Sequence, residues 1–165
     1  MPSSDFGKEY ICTWIRQRFP VTATILDVGA CDGKWKKLLD EYRNMDAVEI
    51  FEPSAEAIKP LYRRVYCADI DGLEYAPYDL IIFGDVIEHM SVEKAKRVLE
   101  YAKPRCNDMI VGVPYQYPQG PMYGNEYERH IQDDLTEDLF CERYKGLRIM
   151  IGTYNYGYFH KEIKR

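Results

Sequence analysis

The sequence predicts an α/β domain built on a mostly parallel, doubly wound sheet, and three observations carry that prediction. Residues 23–33 (ATILDVGACDG) pass from an apolar stretch through an acid into a turn with two glycines, and helical periodicity follows at once. Further apolar runs end in Glu52, in Asp69 and in Gly84-Asp85. The run at 80–83, LIIF, has no polar alternation, as a strand buried on both faces requires. In such a sheet the C-terminal ends of the strands line one crevice, so Asp27, Glu52, Asp69 and Asp85 are expected to meet there.

The elements follow in order. Over 4–19, Phe6, Tyr10, Ile11, Trp14, Ile15 and Arg18 make a helical stripe, with Ser4 as N-cap and Pro20 as the stop. This amphipathic helix is expected to pack against the sheet. Ile25, Leu26 and Val28 form the first strand, and Trp35, Leu38, Leu39 and Tyr42 mark a helix over 34–43. Glycines at such a turn permit positive φ and let the backbone approach a ligand beside unpaired helix-start N–H groups. The spacing Gly29, Cys31, Gly33 lacks the dinucleotide fingerprint G-x-G-x-x-G, which disfavours a pyrophosphate ligand and with it a nicotinamide oxidoreductase.

A second strand is predicted over 46–51, ending at Glu52-Pro53-Ser54 before a short helix that Pro60 curtails. A carboxylate at that strand end, roughly 20 residues beyond the glycine turn, is where βαβ nucleotide sites bind ribose hydroxyls; the same residue would also suit a helix dipole. Short strands follow over 65–68 and 78–83, then a helix from the Ser91 cap to about residue 102, ended by Pro104, and a strand over 108–113. Residues 114–130 are rich in Tyr, Pro, Gly and Gln without any period, and an aromatic loop of that length inside a domain reads as functional. Thr136 caps a last helix that closes at Gly146, and 147–154 with 156–163 form a hairpin around Asn155.

The 165 residues, 46% hydrophobic and 30% charged, suit a single globular domain, with an N-terminal helix over 1–20 and an aromatic substrate or lid loop over 114–133. A net charge of −5 offers no field for a phosphate backbone, so nucleic acid is an unfavoured partner and a small molecule a favoured one. The five cysteines lack C-x-x-C spacing, which argues against zinc and disulfides and for a reducing compartment. With no leading basic-apolar segment and no long apolar run, a cytoplasmic protein without membrane contact is expected. A homodimer is compatible with this composition.

Beginning at Asp27-Val28-Gly29, the chain resembles the first motif of the class I S-adenosylmethionine-dependent methyltransferases, acidic-x-Gly-x-Gly-x-Gly, with Cys31 in place of the middle glycine. Tyr66-Cys67-Ala68-Asp69 looks like the family's adenine-contacting segment, and YDLIIFGDVIEHM over 78–90 is similar to the fourth-strand motif of its small-molecule members. Together the matched segments cover roughly residues 23–113. The resemblance implies a Rossmann-like three-layer α/β sandwich, its mostly parallel seven-stranded sheet completed by the C-terminal antiparallel hairpin. It implies S-adenosylmethionine as cofactor, with Asp27, Gly29, Ala30 and Gly33 about the methionine part, Glu52 and Pro53 at the ribose, Asp69 and Ile70 at the adenine, and Asp85 near the methionine end.

The activity implied is methyl transfer to an oxygen, or an amine, of a small molecule; a module that binds the cofactor without catalysis is the alternative. The Asn/Asp-Pro-Pro-aromatic motif of nucleic-acid amino-methyltransferases is missing at 85–88, which argues against base methylation. His89 and His130 are the candidate bases, since only histidine has an unperturbed pKa near neutrality; each would equally satisfy backbone groups, and His160 reads as structural. Tyr115, Tyr123 and Tyr127 are the candidate substrate contacts. No metal is expected: His130, Asp133 and Asp134 lie close in sequence without evident further ligands, and a cap before the last helix accounts for the two acids.

Overall fold

The computed structural model describes residues 5–161. One seven-stranded sheet has the order β3-β2-β1-β4-β5-β7-β6. β1 (Ile25–Val28), β2 (Met45–Glu49), β3 (Arg64–Cys67), β4 (Tyr78–Gly84) and β5 (Cys106–Pro114) are parallel. β6 (Leu147–Gly152) and β7 (Tyr156–Lys161) are the antiparallel hairpin, and β7 also runs antiparallel to β5. The mostly parallel sheet and its hairpin are thus as the sequence predicts.

Side chains alternate between two cores, as a strand period of two demands. Ile25, Leu80 and Ile82 meet α1 (Lys8–Arg18), α2 (Lys34–Leu38) and α3 (Glu52–Ile58) through Ile15, Trp35 and Ile58. Leu26, Ile81 and Phe83 face the other way, toward Leu99 of α4 (Val92–Ala102) and Phe140 of α5 (Glu137–Arg143). Helices on both faces of one sheet give the three layers.

The predicted caps are in place: Ser91 Oγ accepts from Lys94 N at 3.2 Å and Thr136 Oγ1 from Leu139 N at 3.1 Å, each worth about 1 kcal/mol. Ser4, expected to cap the first helix, and Ile163, expected in the hairpin, lie outside the described residues; α1 starts after Gly7, whose φ is 69°. Among the boundaries that differ from the periodicity, two stand beside the crevice. α2 ends at Leu38 rather than 43, because Lys36 Nζ donates to the carbonyls of Asp40 and Tyr42 and holds the chain in a turn. β2 ends at Glu49 rather than 51, because β3 pairs with it only as far as Glu49 opposite Cys67. That second difference changes which acid reaches the site. No helix among the described residues is long and apolar enough to cross a membrane.

Candidate functional site

β1 delivers the glycine turn into a space where a side chain has no room. At Gly29, with φ 70°, an added Cβ would stand 2.4 Å from Val86 Cγ2. Its N–H donates to Val48 O at 2.8 Å, and Gly33 N–H closes the turn on Ala30 O at 2.7 Å. Cys31 takes the left-handed region too (φ 49°), and its N–H donates to Glu49 Oε2 at 2.8 Å, while Phe51 N–H donates to Glu49 Oε1 at 2.8 Å. Glu49 is buried; burial raises its pKa, against these two hydrogen bonds. A carboxylate at the end of β2 is therefore clamped to the glycine turn by backbone alone.

A cavity of about 630 Å³ opens at the C-terminal ends of β1 and β4, between which the strand order reverses. This is the switch point of a doubly wound sheet, and the size is that of a small-molecule pocket. Of the residues the sequence nominates, Gly29, Ala30, Asp69, Ile70, Asp85, His89, His130, Tyr123 and Tyr127 line it.

Five nominated residues do not reach its wall. Glu52 and Pro53 sit exposed on the first turn of α3, because β2 stops short of them, and Glu49 occupies the strand end they were expected to hold. Asp27 points to the helix face opposite Leu26 and Val28, where Tyr62 Oη donates to its Oδ2 at 2.5 Å. Burial pushes the Asp27 pKa up to about 7, against the Tyr62 hydrogen bond and the charge of Lys8. Gly33 (φ 77°) is packed under Leu61 at the start of α2. Tyr115 is buried beneath β7, its ring filling the space that a Cβ at Gly157 would need. Asp69, though on the wall, already accepts from Lys94 Nζ at 2.5 Å and from Asp71 N at 2.9 Å.

The β4 end of the cavity is built differently. Asp85 adopts φ 56°, a conformation that costs a non-glycine residue roughly 1 kcal/mol. Tyr156 Oη donates to its Oδ1 at 2.8 Å; Oδ2 is buried without a partner among the described residues. Burial raises the Asp85 pKa, opposed by Lys8 and the Tyr156 hydrogen bond. One turn on, Glu88 is fully buried with neither carboxylate oxygen hydrogen-bonded among the described residues, and burial followed by the charge of Asp85 drives its pKa well upward. His89 Nδ1 lies 3.1 Å from Arg129 O and His130 Nδ1 2.6 Å from Tyr117 O, and the two rings meet edge to face at 4.7 Å. Burial lowers both imidazole pKa values, against backbone carbonyls that favour the charged rings.

The aromatic loop owes its position to backbone hydrogen bonds that no residue pattern announces. Ile131 N and Gln132 N donate to Glu88 O at 2.8 and 3.0 Å, and Gln116 N donates to Leu135 O at 2.9 Å. The buried Gln132 amide donates to the carbonyls of Ile87 and Met90 at 2.8 and 3.1 Å and accepts from Tyr144 Oη at 2.6 Å. Glu49 and Glu88 on the cavity wall, and Gln132 that holds the loop behind it, are thus residues that sequence reasoning passes over. Glu49 had a signal in its distance from Gly29, close to the 20 residues such sites use.

Compared by sequence, the chain matches no family model and no curated protein. Solved structures match its fold. An S-adenosylmethionine-dependent methyltransferase from Clostridium acetobutylicum superposes with a TM-score of 0.72 at 14% identity, covering 95% of this chain and 91% of that one. Magnesium protoporphyrin IX methyltransferase from Synechocystis, solved with bound S-adenosylmethionine, gives 0.63 at 14% identity over 93% and 76%. A sugar N-methyltransferase from Streptoalloteichus gives 0.57 at 15% identity; 67% of this chain is covered, and the chain spans about half (49%) of that protein's length. The fold is that of the class I methyltransferases.

Proposed function

We propose that the protein is an S-adenosylmethionine-dependent methyltransferase acting on an oxygen, or an amine, of a small molecule. The observation that carries this reading is Gly29 beside Glu49: a backbone cradle that a Cβ would close, next to a buried carboxylate at the end of β2. Those residues fit the cofactor. Bound there, it supplies a methyl group already activated on a sulfonium. Gly29 and Ala30 leave backbone open to its methionine part, Glu49 accepts from the ribose hydroxyls in the role first expected of Glu52, and Asp69 with Ile70 borders the adenine. Asp85 offers a carboxylate to the ammonium.

The acceptor lies between Tyr123, Tyr127 and the imidazole pair, all on the cavity wall. Holding it in line and excluding water supplies about 7–11 kcal/mol of barrier reduction. The acceptor's proton is drawn off at Nε2 of His89 or His130, a step worth roughly 10²–10⁴-fold. Two methyltransferases of like fold are named for a sugar and for a magnesium protoporphyrin, which supports a small acceptor. Five unpaired thiols suit a reducing cytoplasm.

Calorimetric titration with S-adenosylmethionine and its demethylated product tests the reading. Micromolar binding is expected, at least about 10-fold weaker in Glu49→Ala through loss of charge-assisted hydrogen bonds, and unchanged in Glu52→Ala. Absence of heat with both nucleosides overturns it; binding without methyl transfer to any acceptor assigns the non-catalytic module instead.

A further inference from the structure

Glu88, His89 and His130 converge at the acceptor end, with one donor atom from each lying within 4.8 Å of the others. The hydrogen bonds of the two rings fix which ring nitrogens keep lone pairs. A carbonyl oxygen only accepts, so the Nδ1 atoms facing Arg129 O and Tyr117 O carry the ring protons, and both Nε2 atoms keep lone pairs. A ring N–H donated to a backbone carbonyl is how metal-binding histidines are held.

His89 Nε2 lies 3.9 Å from Glu88 Oε1, near but not bonded. Glu88 itself is wholly buried, and neither of its oxygens has a hydrogen-bond partner among the described residues. Asp85 and Glu128 add negative charge around it. Two lone pairs and an unpaired carboxylate, gathered in a negative field, lack a positive centre.

We propose that Glu88, His89 and His130 hold a divalent transition-metal cation such as Zn²⁺, Co²⁺ or Mn²⁺, whose remaining positions face the acceptor. Two imidazoles with one carboxylate select such ions over Mg²⁺ or Ca²⁺. Closing the triad by up to roughly 1.4 Å brings its donors to the spacing of tetrahedral ligands about 2.1 Å from one centre. The inference rests on the preceding reading for the acceptor's location, and it gives the imidazoles a ligand's role. A hydroxyl of the acceptor drawn to the cation loses its proton to water more readily, which favours an oxygen acceptor over an amine.

The test needs no cofactor. Chelator-stripped full-length protein is titrated with CoCl₂, MnCl₂ and ZnCl₂ by calorimetry, and the visible spectrum of the Co²⁺ form is recorded. One equivalent is expected to bind, with Co²⁺ absorption characteristic of imidazole ligation. Affinity should fall at least about 10-fold in each of Glu88→Gln, His89→Ala and His130→Ala. Should a variant fail to fold, the wild-type Co²⁺ spectrum still decides: bands of an all-oxygen aquo ion, no uptake, or affinity equal in wild type and variants overturns the proposal. S-adenosylmethionine is titrated separately into stripped protein, so a failed cofactor reading and a failed cation site give different results.

Discussion

At the β2 end of the cavity Glu49 has each carboxylate oxygen bonded to a backbone N–H, whereas at the β4 end Glu88, no less buried, has neither bonded among the described residues. The first acid is part of the scaffold: it ties β2 to the glycine turn, and its geometry is complete from the chain alone. The second has no such anchor: neither oxygen has a hydrogen-bond partner among the described residues. Burying an unpaired polar group costs stability, so the β4 end carries a cost that the β2 end does not. Backbone at Asp85 adds to it, being held in the left-handed region within hydrogen-bond reach of Tyr156.

The largest effect expected is at the scaffold end. Gly29→Ala places a methyl where Val86 Cγ2 already stands and adds the strain of a positive φ, so cofactor affinity should fall by about 100-fold or more in calorimetry. Gly29→Ala with Val86→Ala should recover part of that loss, since it relieves the contact but not the backbone. A single variant that binds normally would mean the cradle is not formed by backbone approach.

Next in size is a pair of substitutions of opposite sign. Glu88→Leu removes an unpaired buried carboxylate and should raise the free energy of chemical unfolding by about 1–3 kcal/mol while abolishing turnover. Glu49→Leu strands the N–H groups of Cys31 and Phe51 and should lower it by a similar amount. If both substitutions move stability the same way, the contrast between the two ends is lost.

Third comes the pH dependence of stability, set on the scaffold side by Asp27. Its folded pKa of about 7 stands above its ordinary value of 3.8, so between the two the native state holds a proton that the unfolded chain has released. The Asp27 contribution is full below 3.8 and is lost as pH rises through 7. Thermal unfolding of Asp27→Asn, whose amide still accepts from Tyr62, should show a flatter profile over that window.

These residues also mark how far the sequence could be read. The sheet, the hairpin and both side-chain caps were legible, because buried parallel strands and Ser or Thr before a helix are local patterns. The glycine turn was legible for the same reason. Glu49 and Glu52 were not separable: both stand near the end of an apolar run, and the choice between them depends on where β3 ceases to pair with β2, a contact across sequence. Gln132 was invisible because its value lies in carbonyls 42 and 45 residues away. Glu88 was passed over beside His89 because a carboxylate at the end of a strand motif announces neither burial nor want of a partner.

The smallest effect expected concerns the tyrosines of the loop, which composition alone could not tell apart. Tyr123 is 91% exposed at the cavity rim, while Tyr115 is 7% exposed beneath Gly157. Removing an exposed ring leaves the core intact, so Tyr123→Ala should change unfolding by less than about 0.5 kcal/mol and leave cofactor affinity as it was. Its expected signature is a rise of a few-fold in KM for the acceptor with kcat unchanged, the pattern of lost uniform binding. A fall in kcat instead would mean that the ring orders the imidazole pair, extending the β4 site out to its rim; no change in either constant would remove Tyr123 from acceptor recognition and leave Tyr127 as the rim contact.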